Sequence, residues 1–378
     1  FDEIEDNTGV RLQMKYIGTL DGAEQITVGE PYDLAWFSHA KYLTLLQGKE
    51  KRIHAQEKIM LSPVVLGVKR SKAKAWGWEN NPNVTWKDIA EKAASGELRY
   101  AMTNPASSNS GFTSLVGVAA ALSAKGEITT PADLNVDAMR RFFKGQKLTA
   151  GSSGWLADAY VREQHQLDGI INYESVLIQL NRSGKLNDQL VLIYPKEGII
   201  TADYPLMLIN PAKREAYDKL RTFLRSPEFQ KTLMTETTRR PVLPQVKLSR
   251  DFSDQLLIEL PFPSRLDIIN EIIYSYLDEQ RMPSYSIFVL DLSGSMKGDR
   301  LAQLRQALRN LTGMDRSVTG QFSRFRERET IVLLPFNHQL LGAQQFVIAT
   351  GDGREQTMGK IRQATTHFRA RGKTAIYS

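Results

Sequence analysis

The sequence predicts an α/β protein in two modules, and three observations carry that expectation. Short apolar runs alternate with segments of 3.6-residue periodicity from the start to about residue 245. The alternation breaks over 246–284, where Pro261 and Pro263 interrupt an irregular stretch. From residue 285 a new apolar run ends in a small-residue turn and opens another helix, as a fresh α/β domain would. Strands that alternate with helices indicate βαβ units and a mostly parallel sheet.

Taken in order, the strand-like runs of the first module are Arg11–Ile17, Leu34–Phe37, Met60–Val68, Tyr100–Thr103, Leu190–Tyr194 and Leu206–Ile209. The helical segments between them are Trp86–Ala94, Phe112–Ser123, Asp133–Lys144, Ser153–His165, Tyr173–Ser183, Lys213–Arg225 and Pro227–Thr235. Residues 245–264 read as a linker or strap. Arg265–Gln280 then places Leu266, Ile269, Ile272, Ile273, Tyr276 and Leu277 on one helical face. Met282-Pro283-Ser284 punctuates it. Tyr285–Leu292 is a buried-type strand, a helix runs from about Arg300 to Leu311, and Thr330–Phe336 is a second strand. The expected organisation is therefore 1–245, a linker with its helix over 246–284, and a second domain over 285–378. The opening Phe1–Asp6 reads like the middle of a helix and the final residues stop within a motif. Both ends are accordingly expected to be those of a fragment, with any targeting segment outside it.

Composition narrows the function classes. Apolar residues at 42% and charged residues at 24% describe a globular chain rather than a disordered one. No apolar run approaches the roughly 18 residues of a membrane span. Cysteine is absent, which excludes disulfides, thiolate zinc sites, iron–sulfur clusters and a cysteine nucleophile. The 49 basic and 42 acidic side chains leave a charge of +7. Residues 1–284 hold 35 of each sign, and residues 285–378 hold 14 basic against 7 acidic, so the whole excess lies in the second domain. It clusters at Arg316–Arg328 and Arg354–Lys373. Either it forms a basic face for an anionic partner or an acidic remainder of that domain offsets it; no nucleic-acid motif accompanies it, so nucleic acid is not expected.

Asp291-Leu292-Ser293-Gly294-Ser295 is the sharper constellation. The apolar strand Ser286–Leu290 delivers Asp291 to its carboxyl end, and Ser293 and Ser295 follow at two-residue spacing. One carboxylate and two hydroxyls on a single turn suit a hard divalent cation, Mg²⁺ or Mn²⁺, which takes oxygen ligands and keeps open positions. The competing reading is a serine turn that only caps the helix at Arg300. Other chemistries fail on spacing. Gly372-Lys373-Thr374 has His367 where a P-loop needs Gly, and Asp291 stands where a nucleophile elbow around Ser293 needs Gly. The His residues form no zinc-type pair, and no general base stands near Asp291 or Ser293, so an enzyme is not expected.

Asp291, Ser293 and Ser295, set after that strand and followed by a helix and a second strand, resemble the metal-ion-dependent adhesion site of the von Willebrand factor type A family. That resemblance implies the first half of a doubly wound, Rossmann-like domain. It also implies Thr374, on Gly372–Ile376, as a fourth metal residue, although Lys373 stands where a small residue is commoner. A fifth, an Asp, would follow Ser378. The metal would then bind an Asp or Glu of a protein partner.

The first module carries small-hydroxyl loops. Asn104–Gly111 joins a strand to a helix and offers Ser108 and Ser110, and Gly151–Gly154 opens another helix with Ser153. Such loops either cap helices or, with backbone N–H groups, bind an anion. No Arg or Lys stands within them. Together with Thr8-Gly9-Val10, Tyr16–Thr19, Tyr32–Ser38 and Leu192–Pro205, they are similar to the bacterial extracellular solute-binding family. The resemblance implies a two-lobed, type II periplasmic-binding-protein fold over 1–245 that lacks its first strand. It places Trp36, Ser38, Ser108, Ser110, Ser153 and Tyr194 on the cleft, where a small solute or oxyanion would sit.

The expected whole is a non-enzymatic, exported binding or adhesion protein, anchored to a membrane through an N-terminal segment outside this sequence. Its alternatives are a transport receptor with an accessory metal domain and a cytosolic accessory of an ATPase complex.

Overall fold

The computed structural model describes residues 1–351 and 353–374. The chain divides into two compact units, Phe1–Tyr276 and a second that begins at Leu277. The strap and the amphipathic helix, expected between the modules, therefore belong to the first unit.

Strands of the first unit are β1 (Leu34–Trp36), β2 (Ala55–Lys58), β3 (Met60–Lys69), β4 (Tyr100–Thr103), β5 (Gln146–Ala150), β6 (Gly169–Tyr173), β7 (Leu190–Ile193), β8 (Thr201–Ala202), β9 (Pro205–Leu208) and β10 (Arg240–Pro241). They form two sheets. The smaller, in the order β1-β9-β2, is wholly antiparallel. It covers a core of Ile4, Ile59, Leu206, Leu208, Tyr217, Leu220, Leu224 and Leu233. The larger runs β10-β3-β6-β4-β5, with β7 and β8 also on β3.

Only β4 pairs parallel, with β5 and β6, while β3 pairs antiparallel with β6, β7, β8 and β10. The mostly parallel sheet expected from the alternation is thus a mixed one. The reason lies in β3, whose ten residues let several short strands return along it without a helical crossover. Arg11–Ile17 forms no strand among the described residues. Val10 and Leu12 pack on the smaller core while Met14 and Tyr16, which would share their face in a strand, stay exposed, so the segment does not bury one alternating face.

The strap reaches elements attached to both sheets. The Leu260 N–H donates to the Ile199 carbonyl at 2.8 Å, and the Ile199 N–H donates to Ile258 at 2.9 Å. Phe262 packs on His39, just after β1, and on Phe112, in the helix after β4, at ring separations of 5.3 and 5.9 Å. Helix Leu266–Ser275 follows and packs on helices Lys41–Leu46 and Asn109–Leu122. Below them lies a buried ion pair. Arg240 grips both oxygens of Glu174 at 2.7 Å, and the Tyr194 hydroxyl donates to the same carboxylate.

In the second unit β11 (Ser284–Asp291), β12 (Glu329–Phe336) and β13 (Gln344–Val347) lie in that order. The first two are parallel and the last is antiparallel. Helices Asp299–Arg309 and Gly353–Thr366 supply Leu301, Leu308, Met358 and Ile361 to a core with Leu290, Ile331 and Leu333. Strand alternation turns Tyr285, Ile287 and Val289 outward, each more than half exposed.

Candidate functional site

Hydroxyl groups from distant segments meet along one seam of the first unit. Helix Thr19–Thr27 begins against the Ser107–Asn109 loop, and the Thr19 N–H donates to Asn109 Oδ1 at 2.6 Å. The approach is close: a Cβ on Gly18 would lie 2.8 Å from the Ser107 carbonyl oxygen, so only glycine fits. Within the loop Ser110 is the hub. Its hydroxyl lies 2.9 Å from that of Thr103, 2.8 Å from that of Ser153 and 3.4 Å from that of Ser108. Asn172 donates to the Ser153 carbonyl at 3.0 Å, which ties β6 to the cluster.

Ser38, buried at the end of β1, enters from the other sheet. Its carbonyl accepts the N–H groups of Asp203 and Tyr204 at 2.9 and 3.1 Å, while its hydroxyl is buried with no hydrogen-bond partner among the described residues. The next residue, His39, lies 3.2 Å from the Thr113 hydroxyl, one turn along from Ser110. The seam therefore brings Ser108, Ser110 and Ser153 into hydroxyl contact, and Ser38 approaches the same helix only through its neighbour His39. Ser108 holds the N-cap position of helix Asn109–Leu122 but makes no side-chain cap, and Ser152, not Ser153, caps the helix at Ser153. Neither candidate is spent on capping.

The other two candidates take different places. Trp36 braces the seam from behind, its indole N–H donating to the Tyr204 carbonyl at 2.9 Å while its ring packs on the smaller core. Tyr194 is committed to Glu174 in the interior.

Sequence reasoning missed Thr19, Tyr173, Tyr204 and Arg239. The Thr19 hydroxyl is buried without a partner among the described residues. The rings of Tyr173 and Tyr204 are 6.0 Å apart, and Arg239 stacks over Tyr204 at 5.1 Å. Burial pushes both phenols above their ordinary range, although Arg239 pulls Tyr204 part of the way back, so both stay protonated hydrogen-bond donors. Burial, helped by Lys41, lowers His39 to about 4, which keeps the ring neutral at neutral pH. Beside the seam an open cavity of about 640 Å³ is bordered by Lys41, Lys58, Asp203, Phe262 and Ser264. Asp203 is paired there with Lys58 at 3.1 Å.

The turn of the second unit is built differently. Asp291 Oδ1 accepts the Ser293 N–H at 2.7 Å, and the hydroxyls of Ser293 and Ser295 are 3.0 Å apart. Helix Asp299–Arg309 starts after Gly298 with no side-chain cap, so the serines do not serve it. The loop bearing Thr374 returns to this turn: the Gly294 N–H donates to the Gly372 carbonyl at 2.8 Å and the Arg371 N–H to Leu292 at 2.9 Å. Gly372 has φ 78°, a conformation glycine takes without strain. Thr374 itself is exposed, and Ala375 and Ile376 lie outside the described residues. Asn337, buried at the end of β12, leaves its Nδ2 unpartnered at this corner among the described residues. No group of three His, Asp or Glu side chains suited to a metal occurs among the described residues, so any cation here would rest on one carboxylate and hydroxyls. Lys297, Arg300, Arg371 and Lys373 surround the turn as exposed cations.

The sequence model of the family described as bacterial extracellular solute-binding protein matches residues 2–236. No curated protein matches the chain. Among solved structures, the chain is similar to a ferric binding protein from Campylobacter jejuni, at 16% identity and TM-score 0.54, over 73% of this chain and 93% of that one. It is also similar to the periplasmic binding protein AfuA from Actinobacillus pleuropneumoniae with fructose-6-phosphate bound, at 15% identity and TM-score 0.55, over 74% and 93%. A Trichodesmium protein, IdiA or FutA, in complex with iron and citrate gives 16% identity and TM-score 0.51, over 72% and 93%. Identities this low show the fold alone, an α/β periplasmic-binding-protein-like one. No helix of the described residues is long and apolar enough to cross a membrane.

Proposed function

The chain belongs to the bacterial extracellular solute-binding protein family, and from that premise we propose that it is a receptor whose first unit takes up a small solute along the hydroxyl seam. The family is one of exported, non-enzymatic binding proteins. The observation that carries the reading is the hydroxyl contact of Ser108, Ser110 and Ser153, with the Thr19 and Ser38 hydroxyls buried and unpartnered among the described residues. A buried hydroxyl without a hydrogen bond costs about 1–3 kcal/mol, which a bound solute would recover. The hydroxyls and neutral phenols suit a polar solute rather than an apolar one.

Thermal-shift screening of the protein against sugar phosphates, inorganic oxyanions, iron–citrate and thiamin tests this. A ligand that raises the melting temperature in the natural protein and not in Ser110→Ala is the expected result. A panel without any shift would sink the receptor reading.

A second reading concerns the other unit, and the closure of its Gly372 loop onto the Asp291 turn favours it. Asp291, Ser293, Ser295 and Thr374 would hold Mg²⁺ or Mn²⁺ as an accessory site. The donor set fits a hard cation, with a second Asp291 oxygen not engaged among the described residues. The order β11-β12-β13, with the last strand reversed, accords with the start of a von Willebrand factor type A domain. The metal would supply an open position for an acidic side chain of a protein partner, and the surrounding cations would favour the same partner. Calorimetric titration of Mg²⁺ and Mn²⁺ beside Asp291→Ala tests it.

A further inference from the structure

We propose that Arg239 is the residue that selects an anionic solute in the first unit, and that the ligand carries an oxyanion group, phosphoryl, sulfuryl or carboxylate, docked on its guanidinium. This rests on the receptor reading above and goes beyond it by naming the ligand's charge and the side chain that reads it.

The backbone around Arg239 is pinned on both sides. Thr238 takes φ 51° and its hydroxyl donates to the Ser175 carbonyl at 2.8 Å. Arg240 is held in the buried pair with Glu174. Neighbouring residues on an extended segment point to opposite sides, so fixing Arg240 inward sends Arg239 to the other side, against Tyr204. The two arginines look alike in sequence, and their surroundings divide their roles. Arg240 has a carboxylate; Arg239 forms no ion pair with any acidic side chain among the described residues, and its Nε is buried with no hydrogen-bond partner.

The groups around it are donors. Tyr204 sits under the guanidinium on the segment that crosses from β8 to β9, with φ 38°, a strained value for a tyrosine that the hydrogen bond to Ser38 helps maintain. Tyr173 lies against Tyr204, and both phenols stay protonated. The nearby carboxylate, Asp203, pairs with Lys58 through Oδ2, while its Oδ1 is buried without a hydrogen-bond partner among the described residues. One guanidinium without a carboxylate partner, set over a neutral phenol, favours an anion and disfavours a free cation. Its planar fork matches two oxygens of one oxyanion group. The serine loops lack a cation of their own, and Arg239 supplies it from more than 80 residues away in the chain.

The test is calorimetry on the full chain with inorganic phosphate, sulfate, glucose 6-phosphate and neutral glucose, for the natural protein, Arg239→Gln and Arg239→Lys. Circular dichroism reports whether each variant is folded. At least one oxyanion is expected to bind, with affinity falling as salt rises. Arg239→Gln should weaken it by at least tenfold, and Arg239→Lys by less. Arg239→Lys carries the comparison if the glutamine variant does not fold. Equal oxyanion affinity in the natural protein and the folded variants would overturn the role of Arg239. Binding of glucose alone would also overturn it and leave the receptor reading standing. Absence of binding to all four probes, together with a flat thermal-shift panel, would remove both.

Discussion

The first unit's candidate site draws on Thr19, Ser38, Ser108, Ser110, Ser153, Tyr204 and Arg239, spread over most of its chain; the second unit's places Asp291, Ser293 and Ser295 on one turn. The first is a buried seam whose members hold one another through hydroxyl contacts, as at Ser110. The second stands at the open end of a sheet, bordered by the exposed Ser295, Lys297 and Thr374. A seam of this kind is inseparable from the packing of the unit that carries it. A turn of this kind can lose a ligand group and keep its fold. Changes to charged or polar groups should therefore disturb stability in the first unit far more than in the second.

The largest expected effect sets the two buried arginines against each other. Glu174→Gln leaves Arg240 buried without its counter-charge, and breaking such a pair costs about 3–5 kcal/mol. In the second unit Arg326 is as buried, but its partner Asp278 is partly exposed and the guanidinium also donates to the Gln321 carbonyl. Asp278→Asn should cost less than Glu174→Gln, because the carboxylate it removes is partly solvated and Arg326 keeps the Gln321 carbonyl. Urea denaturation monitored separately in each unit checks both, and similar losses would break the contrast.

Next comes pH. His39 is buried between Phe112 and Phe262, with Lys41 nearby, and its pKa in the fold is about 4. In the unfolded chain it returns to about 6.5. Between those values the unfolded chain binds a proton that the folded one refuses. The stability this group contributes is thus full above about pH 6.5 and lost as pH falls through about 4, a difference of roughly 3 kcal/mol. Unfolding midpoints at pH 7 and pH 4.5 should separate strongly in the natural protein and less in His39→Gln. Equal separation in the two would show that His39 is not the titrating group.

The same contrast explains what could be read from sequence. Periodicity located most of the strands and helices because each is a local pattern, as in Met60–Val68 and Thr330–Phe336. It could not reveal that β3 accepts four antiparallel neighbours, since pairing is a long-range property. Nor could it separate Arg11–Ile17, which packs only Leu12 on the core and leaves Met14 and Tyr16 exposed, from a paired strand. Asp291, Ser293 and Ser295 were legible because strand, turn and spacing lie within a dozen residues. Ser108 and Ser110 were legible as a loop but ambiguous in role, and only the hydroxyl contacts distinguish them from caps. Tyr204 and Arg239 gave no local signal. The positive φ of Tyr204 and the division of labour between Arg239 and Arg240 exist only once β8, β9 and β10 are assembled around β3.

The smallest expected effect is on the stability of the second unit. Ser295 is exposed and, among the described residues, its hydroxyl meets that of Ser293, so Ser295→Ala should change stability by no more than about 0.5 kcal/mol. If the turn holds Mg²⁺ or Mn²⁺, the same substitution removes one of few oxygen ligands and should weaken calorimetric binding by at least tenfold. Asp291→Ala should abolish binding, because it removes the sole carboxylate of the proposed set. Loss of metal binding with an unchanged urea midpoint is the signature of a site that the fold does not depend on. A Ser295→Ala variant that unfolds together with the unit would instead make the serine turn a structural hinge between β11 and helix Asp299–Arg309. The contrast between the two units would then fail at the point where the sequence made it most legible.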